Sequence, residues 1–146
     1  MKFNYSWFES YATNEIGITL HPNNRHLKKK IEASIRFENQ LLVIDPSNER
    51  QMKLDFDRIF MIEAMDNLSK VYTTDNEIYF VKGRLKEFEK YRSLGIFRIN
   101  NSVILNISQI SSFKSGDYAR LEVYTKDEQI FIVSRHYAKQ IREALR

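Results

Sequence analysis

The residues that decide the fold run from Phe97 to Leu145 and read FRINNSVILNISQISSFKSGDYARLEVYTKDEQIFIVSRHYAKQIREAL. Two polar clusters stand out in this stretch, RINNS at 98–102 and VSRHYAKQ at 133–140. The first lies directly before the apolar run 103–105, and the second follows the apolar run 130–133. This placement puts guanidinium, amide and hydroxyl groups at strand ends or in loops, where packed strands hold them exposed. The sequence therefore predicts a polar surface supported by strands.

Short apolar runs separated by turn signals recur along the chain and predict brief strands. Strands are predicted at 41–44, 51–54, 59–64, 70–73, 77–81, 103–105, 110–114, 120–125 and 130–134, with short helices at 55–58, 85–91 and 137–145. No alternation of strands with long helices is visible, which disfavours a doubly wound sheet. The predicted class is mainly β (α+β), with antiparallel strands and short helices.

The first 39 residues are predicted to form a separate β-α appendage, and residues 40–146 the strand-rich body. Residues 1–15 are polar with scattered aromatics and no clear period, whereas 16–20 predicts a short strand. An asparagine cap and an apolar stripe predict an amphipathic helix over 24–37. Its lysines at 28–30 could contact DNA or an acidic lipid surface, although such a run is more often a solvated helix face.

The composition is that of an ordinary globular protein of 146 residues, with 42% apolar and 13% aromatic residues. This length suits one domain with a small appendage. Cysteine is absent, which excludes disulfides and thiolate metal sites. No apolar run approaches the roughly 20 residues that span a bilayer, and the first residues do not resemble a signal peptide. We therefore expect a soluble, cytoplasmic protein.

Net charge is distributed unevenly. Residues 1–90 hold 14 basic and 14 acidic residues, whereas 91–146 hold 9 basic and 5 acidic ones, which accounts for the net charge of +4. The whole excess therefore lies in the stretch that carries the two polar clusters. Such an excess fits a polyanionic partner that binds through counterion release, although many proteins of similar charge bind no nucleic acid.

The two clusters resemble the two blocks that characterise the LytTR family of DNA-binding domains of bacterial transcription regulators. The matching residues are Phe97, Arg98, Asn100, Asn101, Ser102, Val103, Ile104, Asn106 and Ile110 in the first block, and Val133, Ser134, Arg135, Tyr137, Ile141 and Arg142 in the second. We expect the similarity to extend back to about Leu41. The resemblance implies an elongated body of three small antiparallel sheets.

The resemblance also implies that DNA is read by loops and strand ends instead of by a recognition helix. Arg135 can donate two hydrogen bonds to guanine, and Asn101 can pair with adenine in the same geometric way. Ser69 and Lys70, in an expected loop at 67–70, are the candidates for a third base contact. Candidates for DNA backbone contacts are Arg98, Asn100, Ser102, Lys114, Ser134, His136 and Lys139.

Two positions depart from the family pattern. Many members carry a basic residue or histidine where this chain has Asn100 and Asn101, and often one in the first loop, where Ser69 precedes Lys70. Both changes keep the hydrogen-bonding capacity but reduce the charge. The bases preferred at these positions are therefore open.

Each of these residues also has a structural interpretation. Asn101 could satisfy a turn, and Arg135 could pair with Glu122 or Glu128 on a neighbouring strand. Ser134 is favoured as the cap of the last helix. Asn106 is expected to cap a turn at 107–109, and Tyr137 is expected in the core.

Enzyme functions find little support in the sequence. The three histidines at 21, 26 and 136 are scattered, and Asp55 and Asp57 are ordinary residues for the start of a helical turn. A glycine-rich phosphate loop and a nucleophile motif are both missing from the sequence. We expect neither catalysis, nor a cofactor, nor a small-molecule substrate.

The favoured function is sequence-specific binding of double-stranded DNA by a bacterial transcription regulator. The resemblance implies paired direct repeats and a homodimer at least on DNA. It also makes regulation by a membrane protein a reasonable hypothesis. Only about 40 residues precede the body, so we expect no attached phosphorylated receiver domain; autoregulation, a small ligand or a partner protein acting on residues 1–40 remain as inputs. The alternatives are a module that binds an acidic protein without reading bases, and an RNA-binding sheet.

Overall fold

The computed structural model describes residues 1–13, 15–38 and 40–146, and divides into two units, 1–36 and 37–146. In the first unit, a single 3₁₀ stretch at Pro22–Leu27 leads into helix α1 (Lys28–Glu38). Nδ1 of His21 accepts a hydrogen bond from the Asn23 N–H at 3.1 Å and so caps the first turn. The predicted helix is present, but its first residues form the 3₁₀ stretch, and His21 takes the capping position that was predicted for an asparagine. The predicted boundary after residue 39 stays a prediction, and Asn39 lies outside the described residues.

The predicted strand at 16–20 does not form in the structure. Within the described part of the chain, none of the ladders involves these residues, and a strand without a partner leaves its backbone groups unpaired.

The second unit consists mainly of short strands. They are β1 (Gln40–Ile44), β2 (Gln51–Asp55), β3 (Ile59–Met65), β4 (Leu68–Thr73), β5 (Ile78–Lys82), β6 (Ile96–Arg98), β7 (Val103–Asn106), β8 (Ile110–Ser115), β9 (Leu121–Thr125) and β10 (Ile130–Val133). A short helix α2 (Leu85–Phe88) continues as a 3₁₀ turn to Leu94, and α3 (Arg135–Leu145) follows β10. The predicted mainly β class, with antiparallel strands and short helices, is confirmed.

The described strands form two antiparallel sheets, not the three that were expected. A seven-stranded sheet has the order β2-β1-β5-β4-β3-β7-β6, and a three-stranded sheet has the order β10-β9-β8. The β1–β2 hairpin joins the larger sheet through one register pair, Ile44 opposite Phe80. This pair merges what would otherwise be two smaller sheets into one.

Two apolar clusters lie on opposite faces of the central strands. The first contains Ile59 and Ile62 of β3 together with the apolar residues of β1, β2 and α2. The second contains Phe60 of β3, the inner face of the three-stranded sheet and Ile141 of α3. A β-bulge between Ile59 and Met61 shifts the register against β4, so that Phe60 and Met61 both face the second cluster. Strand β3 is therefore buried on both faces.

Asn106, at the end of β7, makes the turn that follows this strand. Its side chain is almost fully buried, accepts hydrogen bonds from the N–H and hydroxyl of Ser108, and donates to the Ile59 carbonyl at 2.8 Å. The expected capping role of Asn106 is thus present. None of the described helices is long and apolar enough to cross a membrane.

Candidate nucleic-acid interface

Hydrogen bonds join the two polar clusters that the sequence singled out. The Ser134 N–H donates to the Ile99 carbonyl at 2.8 Å, and Nδ2 of Asn100 donates to the Ile132 carbonyl at 3.4 Å, across 32 residues of sequence. Ile99 is fully buried in the second cluster, so the contact is anchored in the core. We call the two segments the 99–102 loop and the 134–136 segment. They form one continuous surface.

Arg98 supports the 99–102 loop through hydrogen bonds to the backbone of the loop. Its Nε and Nη2 donate to the carbonyls of Asn100 and Asn101, both at 3.1 Å, and its Nη1 pairs with Glu89 at 3.3 Å. The guanidinium also lies 5.9 Å from the centre of the Tyr137 ring, at the start of α3. Its side chain is only 19% exposed, so this geometry does not fit the predicted phosphate contact. Arg98 instead fixes the backbone that carries Asn101.

Asn100 is also occupied within the loop. Its Oδ1 accepts a hydrogen bond from the Ser102 N–H at 2.8 Å, while its Nδ2 makes the contact with Ile132. Both ends of the carboxamide therefore have a structural partner, and a DNA backbone contact from this residue stays a prediction.

Asn101 and Arg135 present free polar groups. Both residues are exposed. Within the described ranges, neither the Asn101 carboxamide nor the Arg135 guanidinium has a hydrogen-bonding partner, and no carboxylate pairs with Arg135. The alternative pairing of Arg135 with Glu122 is not formed, since Glu122 is within 3.5 Å of Lys114. The two side chains that were expected to read bases are thus available to a ligand.

Helix α3 begins two residues earlier than predicted, which changes the setting of the second cluster. Arg135 and His136 form the first turn of α3 instead of a loop. Ser134 occupies the N-cap position, but its hydroxyl makes no capping hydrogen bond, contrary to the favoured interpretation. Lys139 is exposed and follows Arg135 by one helical turn, so both cations lie on one side of the helix. Positive groups and free N–H groups are therefore concentrated at this helix start.

Lys114 lies on a neighbouring sheet and is already paired. It projects from edge strand β8, where its register partner is Glu122 of β9. A hydrogen bond with the Tyr124 side chain, followed by the charge of Glu122, raises the pKa of Lys114 above its usual value. Its positive charge is therefore partly offset by Glu122, which makes it a weaker candidate for a phosphate contact than Lys139.

The expected third loop, 67–70, is shorter than predicted. Only Asp66 and Asn67 form the turn, because β4 begins at Leu68. Ser69 is fully buried, and its hydroxyl donates to the Gly83 carbonyl at 2.8 Å, so the predicted base contact from Ser69 is corrected to a structural bond. Lys70 is half-buried on β4, with Nζ 5.2 Å from the centre of the Tyr72 ring.

The β3–β4 turn nevertheless lies beside the 99–102 loop. The Ala64 N–H, near the end of β3, donates to the Ser102 carbonyl at 2.8 Å. This bond and the strand register place the turn that carries the exposed Asn67 at the same end of the sheet as Ser102 and Asn101.

Comparison with known proteins agrees with this arrangement of strands and loops. The family model of the LytTr DNA-binding domain matches residues 49–146, about two thirds of the chain. The chain belongs to the LytTR family. The predicted resemblance is confirmed, although the match begins at residue 49 and not near Leu41, so that β1 lies outside it. LytTR is a family of DNA-binding domains, and this chain therefore carries one.

A solved structure shows the same fold. The LytTr DNA-binding domain of a Bacillus cereus protein described as a methyl-accepting/DNA response regulator superposes with a TM-score of 0.61 at 19% sequence identity. The alignment covers 73% of this chain and 96% of the Bacillus cereus domain. No curated protein matches the chain.

The LytTR domain of this chain thus brings together most of the predicted residues but not all of them. The residues on or beside the 99–102 loop and the 134–136 segment are Asn101, Ser102, Ser134, Arg135, His136 and Lys139. Ser69 is buried, and Lys114 lies on the other side of β9.

The sequence analysis did not identify Arg92 and Gln140 as neighbours of this surface. The Nη1 of Arg92 donates to Gln140 Oε1 at 2.8 Å, on the rim of a cleft of about 190 Å³ that Arg98 and His136 also line. The feature of the sequence that could have indicated this cleft was the pair of basic residues Arg92 and Arg98, six positions apart.

Among the described residues, no group of three or more histidine, aspartate or glutamate side chains is arranged to hold a metal ion.

Proposed function

We propose that this chain regulates transcription by sequence-specific binding of double-stranded DNA, with Asn101 and Arg135 reading base edges in the major groove. The observation that carries the proposal is the direct bonding of the 99–102 loop to the 134–136 segment. This bonding holds together the two backbone segments that carry the Asn101 carboxamide and the Arg135 guanidinium, both without partners of their own among the described residues, and so supports a shared reading surface. A carboxamide matches adenine N6 and N7, and a guanidinium matches guanine O6 and N7. The bases are then read by one side chain on the 99–102 loop and one at the start of α3, and not by a helix inserted along the groove.

Phosphate contacts are assigned to groups that surround these two side chains and remain free. Lys139 and His136 supply exposed donors on α3, and the Ser134 hydroxyl is not used as a cap. The first N–H groups of α3 favour an anion at the same place. Ser102 adds an exposed hydroxyl at the edge of the loop. These contacts set the register of the domain on the duplex without choosing its sequence.

A third base contact is assigned to the β3–β4 turn. Asn67 is exposed there and has the same hydrogen-bonding groups as Asn101. Lys70, which follows it on β4, extends along Tyr72 and is better placed for a phosphate than for a base. The residues proposed to read bases are therefore Asn67, Asn101 and Arg135.

The wider setting is also part of the proposal. We infer a bacterial cytoplasmic regulator that acts without catalysis and binds paired direct repeats in a promoter, with two copies of the chain on one site. The Bacillus cereus protein is described as a DNA response regulator, which supports a regulatory role for the domain. A membrane protein is a candidate for the partner that controls it.

Selection from random duplexes followed by footprinting tests the proposal. The purified chain should enrich one motif, in two copies, and bind it at physiological salt at least about 1,000-fold more tightly than scrambled DNA. If no motif is enriched and every duplex binds with the same affinity, base readout is wrong, and a module that binds acidic proteins becomes the better interpretation.

The salt dependence separates phosphate contacts from base contacts. Lys139→Ala should weaken binding to all duplexes alike and reduce the slope of log K against log salt by about 0.9. Lys126→Ala is the matched control, because Lys126 is equally exposed but lies in the turn at the opposite end of β10 from Ser134. Equal slopes for the parent and Lys139→Ala would remove Lys139 from the interface.

A further inference from the structure

The start of the chain carries a concentration of exposed apolar side chains. Of the fifteen large apolar residues that are exposed among the described residues, nine lie in the first 20 positions. They are Met1, Phe3, Tyr5, Trp7, Phe8, Tyr11, Ile16, Ile18 and Leu20. Isolated apolar residues on a surface are ordinary, but a continuous group of this size indicates an interaction surface.

Two parts of this segment alternate with the period of a β-strand. Phe3, Tyr5 and Trp7 are separated by polar residues, with side chains 70%, 73% and 86% exposed. Ile16 and Ile18 repeat the alternation, at 70% and 50%. Although residues 1–15 as a whole show no single period, each of these short runs has one apolar and one small or polar face. Both are typical of strands that cover another apolar surface.

The backbone of these runs is open to pairing. In the described part of the chain, residues 2–7 and 16–20 belong to no strand and make no backbone hydrogen bond. The Tyr11 ring, between the two runs in sequence, lies against Gly17. An apolar face next to unpaired N–H and C=O groups favours the addition of strands from another chain.

The exposed area is about that of a stable protein interface. An aromatic side chain buries roughly 150–250 Å² when it is covered, so the three aromatics at 3, 5 and 7, which are about three quarters exposed, offer roughly 450 Å². The aliphatic residues at 16, 18 and 20 bring the total to roughly 700 Å². An ordinary interface buries about 800 Å² per partner.

We propose that residues 2–8 and 15–20 form a dimer interface with the same residues of a second copy of this chain, in the absence of DNA. The two copies pair these runs as strands and bury the alternating apolar rows against each other. A self-complementary surface of this kind gives a symmetric dimer, in which each protomer contributes the same residues. Residues 1–20 hold one lysine and two glutamates, so their own charge does not favour an anionic bilayer. The interface shares no residue with the 99–102 loop or the 134–136 segment, which are proposed to contact DNA.

Trp7 provides a direct measurement, because it is the only tryptophan in the chain. The full chain is diluted from about 100 to 1 μM, a range that reports dissociation constants in the micromolar range. Sedimentation equilibrium should show a dimer at the upper end. The emission of Trp7 should move to shorter wavelength as the dimer forms, since its ring leaves water.

Two sets of variants locate the interface. Ile16→Ser with Ile18→Ser keeps Trp7 as the reporter and should raise the dimer dissociation constant about 100-fold. Phe3→Ser with Tyr5→Ser should do the same from the other run. Asn4→Ser with Thr19→Ser changes the opposite faces of the same runs and should leave the dimer intact. The unfolding transition of the body, residues 37–146, should be the same in all of them.

Three results would overturn the proposal. The parent chain could be a monomer at about 100 μM, or the dimer could persist unchanged in both apolar variants. Alternatively, Trp7 emission could shift only when anionic vesicles are added, which would assign the segment to a bilayer and use the lysines at 28–30. All of these measurements are made without DNA, so their failure would leave the proposed base readout standing.

Discussion

The two ends of strand β3 carry similar polar side chains but use them in opposite ways. At its start, the Nη2 of Arg58 pairs with Asp75 at 3.1 Å and with Glu77 at 3.0 Å. At its end, the Ala64 N–H supports the 99–102 loop, where Asn101 is exposed, and the same loop bonds through the Ile99 carbonyl to Ser134, the residue before the unpaired Arg135. An arginine whose charge is neutralised by two carboxylates binds a phosphate or a base only weakly. A candidate DNA surface is therefore distinguished by free donors, and not by the number of arginines.

The largest effect should come from removing both free groups at the reading end. Asn101→Ala with Arg135→Ala should lower the affinity for the selected duplex by about 2–6 kcal/mol, because each base contact is worth about 1–3 kcal/mol. Affinity for scrambled DNA should change far less. The measurement is fluorescence anisotropy with both duplexes. Arg58→Ala is the control, since it removes the same charge at the other end of β3; an equal loss in this control would contradict the comparison.

The start of β3 should instead be important for stability. Asn106→Ala leaves the buried Ile59 carbonyl and the Ser108 N–H without partners, which should destabilise the fold by about 2–4 kcal/mol. Urea unfolding measures the loss. The selected motif should be unchanged under conditions where the variant is folded. Ser108→Ala removes only one hydroxyl contact and should cost about 1 kcal/mol or less.

Arg98 tests whether support of the loop matters separately from contact with DNA. Arg98→Met should keep the packing on Tyr137 but lose the bonds to the Asn100 and Asn101 carbonyls. Specific affinity should fall about tenfold, or about 1.4 kcal/mol, with the salt slope unchanged because no phosphate contact is lost. Arg58→Met is the matched control, since Arg58 pairs with Asp75 and Glu77 at the other end of β3. A slope reduced by about 0.9 would make Arg98 a phosphate contact after all.

The smallest effect should be the acid sensitivity of the Arg58 end. The Thr73 hydroxyl and the Arg58 guanidinium lower the pKa of Asp75. The lowered pKa means that the stabilisation is present above the ordinary carboxyl pKa and is lost as pH falls through the lowered value. Asp75→Asn should therefore be slightly less stable than the parent at pH 7 and indistinguishable from it in strong acid. Thermal unfolding against pH measures this, and DNA binding at pH 7 should not change.

Much of the fold followed from local patterns in the sequence. Apolar runs bounded by turn residues located the strands of the body except β6, and the family resemblance located the two blocks. What the sequence could not supply was the pairing of distant segments. The register pair Ile44–Phe80 merges two expected sheets into one, and it depends on a contact between chain positions 36 residues apart.

The site was predictable for exposed residues and not for those that support them. Asn101 and Arg135 stand out because their side chains match base edges. Arg98 and Asn100 have the same chemistry, and only the folded loop shows that their donors are used internally. Ser69 was misplaced for a related reason, since β4 begins earlier than expected and turns its hydroxyl inward to Gly83. Residue type alone does not distinguish a side chain that is free to contact DNA from a side chain that supports the loop.

The bulge in β3 has a consequence for how the body loses its structure. Because it turns Phe60 and Met61 toward one apolar cluster while Ile59 and Ile62 remain in the other, a single strand belongs to both hydrophobic cores. Opening either core would uncover one face of β3, which couples the two cores. Residues 37–146 should therefore melt in one cooperative transition, with equal calorimetric and van't Hoff enthalpies.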